Sequence, residues 1–114
     1  MSKVRETNDW LLPEELAMGP AETPILVLFD ETEGFKDNAM DLSFEAVAIL
    51  HEGPARFFRV NVDENPSVVE RYKIKKLPTV ALYVDGKELG RRTGIIGDQA
   101  IIDLLARKQK PRAS

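Results

Sequence analysis

Runs of apolar residues along the chain predict strands and helices that alternate. Ile25 to Phe29 is apolar at every position, which is typical of a central strand covered on both faces. From Phe35 to His51, apolar residues recur at spacings of three and four, which predicts one long helix that ends before Gly53-Pro54. The apolar residues on the predicted buried face of this helix are Met40, Phe44, Val47 and Leu50.

The segments on either side carry further signals. A first helix is predicted to begin near Asn8 or Asp9, either of which can cap it, and to end before Gly19-Pro20. Its apolar residues are Trp10, Leu11, Leu12 and Leu16, and a weak strand is expected near Lys3-Val4. The later elements are a strand from Arg56 to Asp63, a short helix from Pro66 to Tyr72 capped by Asn65, strands from Thr79 to Val84 and from Lys87 to Thr93 joined by an Asp85-Gly86 turn, and a helix opened by Gly97-Asp98.

This order predicts an α/β domain in which a central mixed sheet of four to five strands has helices on both faces. Two strands joined by a long helix form a parallel pair, and the later strands form an antiparallel hairpin. A chain of 114 residues suits one domain with one core. We expect the core to span residues 25–107, with a helical region at 8–18 before it and a flexible basic tail at 108–114.

The composition excludes several kinds of chemistry. The chain has no cysteine, so it forms no disulfide, zinc–thiolate site or thiol nucleophile, and His51 is its one histidine. We therefore expect no metal. The longest apolar runs are too short to span a bilayer, and Met1 to Glu6 lacks the apolar core of a secretory signal. A cytoplasmic location without membrane contact is the expectation.

Charge is distributed unevenly along the chain. The net charge is −3, but residues 1–57 hold 12 acidic against 4 basic residues, whereas residues 58–114 hold 7 against 12. This indicates an electrically polar molecule, unless the two halves pack together and compensate each other. Basic residues at Arg91-Arg92 and in the tail do not outweigh the acidic pI of about 5.2, so nucleic acid is not an expected partner.

Several motifs together resemble the thioredoxin family. They are the strand Ile25 to Phe29, the segment Val60-Asn61-Val62-Asp63-Glu64-Asn65-Pro66, the segment Tyr72-Lys73-Ile74-Lys75-Lys76-Leu77-Pro78-Thr79, and Asp85-Gly86-Lys87-Glu88 before the last helix. From Ile25 to Leu105 the chain resembles a thioredoxin, which implies the thioredoxin-like fold. Where the family has Trp-Cys-Gly-Pro-Cys, this chain has Glu33-Gly34-Phe35-Lys36-Asp37.

The resemblance also implies that the redox machinery is absent. Thiol exchange needs a thiolate and a second sulfur, and this chain has neither. Leu28 stands where the family has a buried aspartate, and Glu33 stands where it has a tryptophan. Arg59, at the position of a buried lysine, is then expected to be a structural or surface cation. We expect a redox-inactive member with no catalytic residue and no cofactor.

Leu77-Pro78-Thr79 resembles the family's cis-proline loop, which implies a cis Leu77–Pro78 bond and a loop that pairs with an extended peptide. In the alternative interpretation, Pro78 only begins a strand. The second part of the predicted site is an acidic helix start whose residues are Asp30, Glu31, Glu33, Gly34, Phe35 and Asp37.

Acidic residues at a helix N-terminus stabilise the helix, which accounts for some of this acidic cluster. The other interpretation is a docking surface for a basic peptide. Lys73, Lys75 and Lys76 provide a third alternative, because they could neutralise the acids within the chain.

The expected function is therefore binding without catalysis, by a chaperone-like or assembly module. Its expected partner is a protein or an extended peptide. An acidic groove would favour a basic peptide. The alternative is a thioredoxin-superfamily enzyme in cell redox homeostasis that uses an external thiol such as glutathione. A third hypothesis is an interaction domain that dimerises or docks through its apolar surface.

Overall fold

The computed structural model describes residues 3–37 and 39–109, without the side chains of Asp37, Lys108 and Gln109. Most of the predicted tail at 108–114 therefore lies outside the described residues. The elements in chain order are β1 Arg5–Thr7, α1 Leu12–Ala17, β2 Pro24–Asp30, α2 Thr32–Asp37, α3 Ala39–His51, β3 Arg56–Asn61, α4 Ser67–Arg71, β4 Thr79–Val84, β5 Lys87–Thr93, α5 Asp98–Leu105 and a 3₁₀ turn Ala106–Gln109.

The five strands form one mixed sheet in the order β1-β3-β2-β4-β5. β1 and β2 each run parallel to β3, whereas β4 runs antiparallel to β2 and pairs with β5 as a hairpin. Because β2 lies in the centre, all seven of its residues are buried. This arrangement agrees with the α/β fold predicted from the sequence.

The alternation of side chains along β2 divides the core into two layers. Leu26 and Leu28 pack with residues of α3 and α5 on one face of the sheet. Val27 and Phe29 pack with residues of α1 and α4 on the other face. A strand whose side chains are covered on both sides must be apolar throughout, which is why Ile25 to Phe29 has no polar residue.

The long predicted helix is helical at all of its described residues, which are α2 up to Asp37 and α3 from Ala39 onwards, and position 38 lies outside the described residues. The apolar repeat sets the buried face of α3, because Met40, Phe44 and Val47 are all buried. Leu50, which the repeat placed on the buried face, is 76% exposed, so this prediction was wrong. At 3.6 residues per turn, Leu50 projects about 100° away from the centre of the buried face, which consists of Met40, Phe44, Val47 and Ala48.

Three predictions near the helix starts also need correction. The first helix begins at Leu12 and not near Asn8, although the Asn8 side chain accepts hydrogen bonds from the N–H groups of Trp10 and Leu11, as a capping residue does. The weak strand lies at Arg5–Thr7, two residues later than expected. Asn65 does not cap α4 with its side chain.

The Asn65 amide serves a different purpose from the predicted cap. Its Oδ1 accepts a hydrogen bond from the N–H of Asp9 at 3.1 Å, and its Nδ2 donates to the carbonyl of Asn61 at 3.0 Å. It therefore joins the chain before α1 to the segment after β3. No described helix is both long enough and apolar enough to cross a membrane.

Candidate functional site

The residues after β3 hold the start of α2. The N–H of Thr32 donates to Asp63 Oδ2 at 2.9 Å, and Asn61 Nδ2 donates to Thr32 Oγ1 at 2.9 Å. The N–H of Asp63 in turn donates to Asn61 Oδ1 at 2.9 Å. Sequence reasoning missed this support, although two short polar side chains at the end of a strand are suited to hydrogen bonds with nearby backbone.

Asp30 lies under the first turn of α2 and is 3% exposed. Its Oδ1 accepts a hydrogen bond from the N–H of Glu31 at 2.8 Å. A Cβ atom placed on Gly34 would overlap all three terminal atoms of the Asp30 side chain. Glycine at position 34 is therefore what allows α2 to approach this carboxylate. The prediction treated Asp30 as part of an acidic docking loop, and the structure buries it beneath that loop.

Phe35 faces the interior, where the centre of its ring lies 5.4 Å from the guanidinium carbon of Arg59. Arg59 Nη1 also donates to both carboxylate oxygens of Asp41 at 3.0 Å, and Nη2 lies 3.7 Å from Glu6. Arg59 pairs with Leu28 in the parallel register of β2 and β3. It is a structural cation that connects β3 with α2 and α3.

The loop before β4 approaches α2 from the other side. The Leu77–Pro78 peptide bond is cis. Thr79 Oγ1 donates to the carbonyl of Lys76 at 2.6 Å, and the carbonyl of Pro78 accepts a hydrogen bond from the N–H of Gly94 at 2.9 Å. Among the described residues, no hydrogen bond is found to the N–H or carbonyl of Leu77. These two groups can therefore pair with an extended segment from outside.

Arg91 of β5 braces the chain that leads into this loop. Its guanidinium donates to the carbonyls of Tyr72 and Lys73, both at 2.9 Å, at the end of α4. The guanidinium also forms two hydrogen bonds of 2.7 Å with Glu88, and this interaction raises the pKa of Arg91. Lys73 has a positive φ of 57°, so the arginine holds a turn that its backbone would not favour alone.

An open cleft of about 560 Å³ lies between the start of α2 and the Leu77–Pro78 loop. Acidic residues contribute to its α2 side, and apolar residues contribute to its loop side. Its lining consists of Asp30, Glu31, Glu33, Gly34, Lys36, Met40, Leu77, Pro78 and Ile95.

Six of the nine residues predicted for the site line this cleft. Phe35 packs inward on Arg59 instead, and Thr79 is fully buried. The side chain of Asp37 lies outside the described residues. Sequence reasoning missed the three other lining residues, although one lies in the segment Glu33 to Asp37, one in the apolar repeat, and one in an apolar pair between two glycines. The missed residues are Lys36, Met40 and Ile95.

The exposed acids of the cleft, Glu31 and Glu33, face little basic charge within the described part of the chain. Lys36 Nζ lies 3.3 Å from Glu33, but both side chains are largely exposed, so the interaction is weak. In the described part of the chain, no ion pair joins Lys73, Lys75 or Lys76 to Glu31 or Glu33. Within that part, no group of three or more His, Asp or Glu side chains is placed to hold a metal ion.

Comparisons with known proteins assign the chain to a family. The family model described as Thioredoxin matches residues 22–107, so the chain belongs to the thioredoxin family. It is similar to the thioredoxin of Chlamydia trachomatis, with 33% identity over 51 residues, or 45% of this chain and 50% of that protein. It is also similar to a thioredoxin of Staphylococcus aureus, with 30% identity over 61 residues, or 54% of this chain and 59% of that protein. The chain thus spans about half the length of the curated relatives it matches.

A solved structure supports the fold over nearly the whole chain. It is the structure of a mutant thioredoxin from Halobacterium salinarum NRC-1, with a TM-score of 0.80 and 18% identity. The match covers 96% of this chain and 93% of that chain. At this identity the likeness concerns the fold, and it confirms the predicted thioredoxin-like architecture. No cysteine is present at any position of this family member.

Proposed function

We propose that this thioredoxin-family chain binds an extended peptide segment in the cleft and performs no thiol chemistry with its own residues. The observation that carries the proposal is the position of Leu77. Its backbone N–H and carbonyl have no hydrogen-bond partner among the described residues, and the residue lines the cleft. An extended peptide that pairs with this backbone would place alternate side chains towards the cleft.

The lining of the cleft indicates the chemistry of the bound segment. Leu77, Pro78 and Ile95 provide apolar surface, whereas Glu31 and Glu33 provide carboxylates. A segment with an arginine or lysine beside an apolar residue complements both sides. Guanidinium groups form strong hydrogen bonds with carboxylates, so arginine is the favoured basic residue. The proposed role is that of a chaperone-like or assembly module.

The proposal of binding without catalysis rests on what the chain has in place of the family's redox groups. Gly34 stands at the position that resembles the family's first cysteine, and the Asp30 carboxylate fills the space next to it. Leu28 stands at the position of the family's buried acid, and a leucine transfers no proton. Each change removes a different part of thiol exchange.

The test is a titration of isotope-labelled protein with a synthetic extended peptide that contains arginine beside leucine, followed by amide chemical shifts. We expect the largest shifts at Leu77 and in the first turn of α2. Reversal of charge at Glu31 and Glu33 to lysine should weaken binding about five- to tenfold, because each exposed charge contributes up to about 1 kcal/mol.

The matched control carries the same charge change away from the cleft, at Glu22 and Glu70, which are both exposed. It should bind like the wild type. Equal weakening in both variants would mean that only the overall charge matters and would contradict a site in the cleft. Disulfide reduction or glutathione conjugation with multiple turnovers would contradict the absence of catalysis.

A further inference from the structure

Trp10 is the one tryptophan of the chain, and its side chain is 85% exposed. Leu11 and Met18, at the two ends of α1, are 40% and 58% exposed. Leu12 and Leu16 of the same helix are buried against the sheet. The helix therefore has apolar residues on its buried side, and the residues that flank its two ends expose further apolar side chains. Large exposed apolar side chains in a group are typical of interaction sites.

The position of Trp10 is fixed by hydrogen bonds of its neighbours. Asn8 Oδ1 accepts from the N–H groups of Trp10 and Leu11 at 3.0 and 2.8 Å. On the other side, Asp9 Oδ2 accepts from Ser67 Oγ at 2.8 Å, and the N–H of Asp9 donates to Asn65. The turn is thus tied to α4, and the exposed indole is presented by an ordered backbone. A surface that is already ordered loses little entropy when it binds.

The surroundings of this indole are acidic. Residues 8–18, which contain α1 and the turn before it, include the acidic residues Asp9, Glu14 and Glu15 and no lysine or arginine. Glu14 and Glu15 lie in the first turn of α1, between Leu11 and Met18. Glu15 accepts a hydrogen bond from the hydroxyl of Thr7. In the part of the chain that the structure describes, no ion pair involves Glu14 or Glu15.

We propose that this area, here named the Trp10 surface and formed by Trp10, Leu11, Glu14 and Met18, docks an amphipathic basic helix of another protein. Apolar side chains of the partner cover the indole, and its lysine or arginine residues face the uncompensated Glu14. Tryptophan is enriched among the residues that dominate binding energy at interfaces. A second copy of this chain is disfavoured, since a symmetric contact brings like charges together.

The Trp10 surface is separate from the peptide cleft. α1 packs with the core layer that contains Val27 and Phe29, whereas the cleft residue Met40 belongs to the opposite layer with Leu28. The cleft residue Leu77 packs on the same layer as α1, but no residue of the Trp10 surface is among those that line the cleft, so the proposal does not depend on the function proposed for the cleft.

The test uses the intrinsic fluorescence of Trp10, which no other tryptophan obscures. A synthetic helix-forming peptide of leucine and lysine serves as the probe. Its addition should shift the emission to shorter wavelength, and the effect should weaken as salt is added. A peptide with glutamate in place of lysine, and one with serine in place of leucine, should produce no such shift. An equal shift with either peptide overturns the proposal.

Variants of the protein show where the peptide binds. The affinity of each variant is measured by the fluorescence anisotropy of the labelled probe peptide. Trp10→Ala should weaken binding about tenfold or more, and Glu14→Lys about two- to fivefold. Leu50→Ala on α3 is the matched control, because Leu50 is also apolar and 76% exposed, and it should bind unchanged.

Three further outcomes would overturn the proposal. Unchanged binding by Trp10→Ala, or weakening by lysine substitutions at Glu31 and Glu33, would place the probe elsewhere. A concentration-dependent shift of the emission without peptide would identify a second copy as the occupant.

Discussion

The carboxylate of Asp30 occupies the space that a side chain at position 34 would need. Asp30 ends the central strand β2, and Gly34 lies in the first helix after it, so the conflict arises across a strand-to-helix turn. Both residues line the cleft. Asp30 can therefore be buried here because position 34 is a glycine. A larger residue at position 34 would overlap the Asp30 side chain.

Gly34→Ala should destabilise the protein by about 1–3 kcal/mol, because the added methyl group overlaps a buried side chain. In a helix without such an obstacle, the same change stabilises by up to about 1 kcal/mol. The sign of the change in unfolding free energy in urea is thus the decisive observation. A gain in stability would show that the carboxylate moves aside without cost.

The double variant Asp30→Ala/Gly34→Ala provides the control. If the overlap causes the loss, alanine at position 34 should cost much less when Asp30 is absent, and the two changes should be strongly non-additive. Gly97→Ala tests the addition of a methyl group at a point where no atom lies within 4 Å, and it should cost less than about 1 kcal/mol.

Gly34→Cys should give a thiol of low reactivity. The adjacent Asp30 carboxylate disfavours a second negative charge. The pKa of the introduced thiol should therefore lie above the usual cysteine value of about 8.5. The rate of alkylation by iodoacetamide as a function of pH measures this value, and the absence of other cysteines makes the signal unambiguous. Adding Asp30→Asn should lower the thiol pKa. An unchanged pKa would mean that the two groups do not interact.

The Arg59–Asp41 pair should contribute to stability more than a surface ion pair does. The exposed fractions of the two side chains are 31% and 16%, and the pair joins β3 to α3. A double-mutant cycle with alanine at both positions should give a coupling above about 1 kcal/mol that changes little with salt. The exposed Lys36–Glu33 pair is the matched control, with a coupling below about 0.5 kcal/mol that salt removes.

Tyr83→Phe should stabilise the protein by about 1 kcal/mol at neutral pH. The Tyr83 hydroxyl is buried and has no hydrogen-bond partner among the described residues, and such a group is costly to bury. Thermal or urea unfolding measures the difference. A loss of stability would show that the hydroxyl has a partner in solution, such as a bound water.

Tyr83 also predicts an alkaline limit to stability. Burial, followed by the charge of Glu88, raises the pKa of Tyr83 well above its usual value. In the unfolded chain the Tyr83 hydroxyl loses its proton at a pH of about 10, whereas the folded chain retains it. The free energy of unfolding is therefore unaffected by this proton below that pH, and it falls as the pH rises from there towards the pKa of Tyr83 in the folded chain. In Tyr83→Phe, the free energy of unfolding should decline less above a pH of about 10 than it does in the wild type. An equal decline in both proteins would mean that other groups cause the loss of stability.

The sequence predicted most of the fold because its apolar patterns are strong. The uninterrupted run at Ile25 to Phe29 indicated a strand covered on both sides, and the Asp85-Gly86 turn indicated the hairpin of β4 and β5. The exposure of Leu50 was not predicted correctly. Its spacing of three from Val47 fits the apolar repeat, but at 3.6 residues per turn Leu50 projects about 100° away from the centre of the face formed by Met40, Phe44, Val47 and Ala48.

For the site, the sequence indicated the acidic helix start and the Leu77–Pro78 loop, and six of the nine residues meet at one cleft. We predicted both Glu33 and Phe35 for the site, although a carboxylate favours water and an aromatic ring favours burial; Glu33 lines the cleft and Phe35 turns inward to Arg59. Ile95 was missed because it enters the cleft from a loop distant in sequence. Its role depends on the placement of β5 beside β4.

The sequence by itself determined that this family member has no thiol, that its central strand is apolar, and that its N-terminal segment carries an excess of acidic charge. These properties follow from residue identity and local order. Only the tertiary structure decided that Asp30 lies against Gly34 and that Trp10 stays outside the core. Burial and overlap depend on elements far apart in the chain, and their packing selects which of several locally acceptable positions each side chain takes.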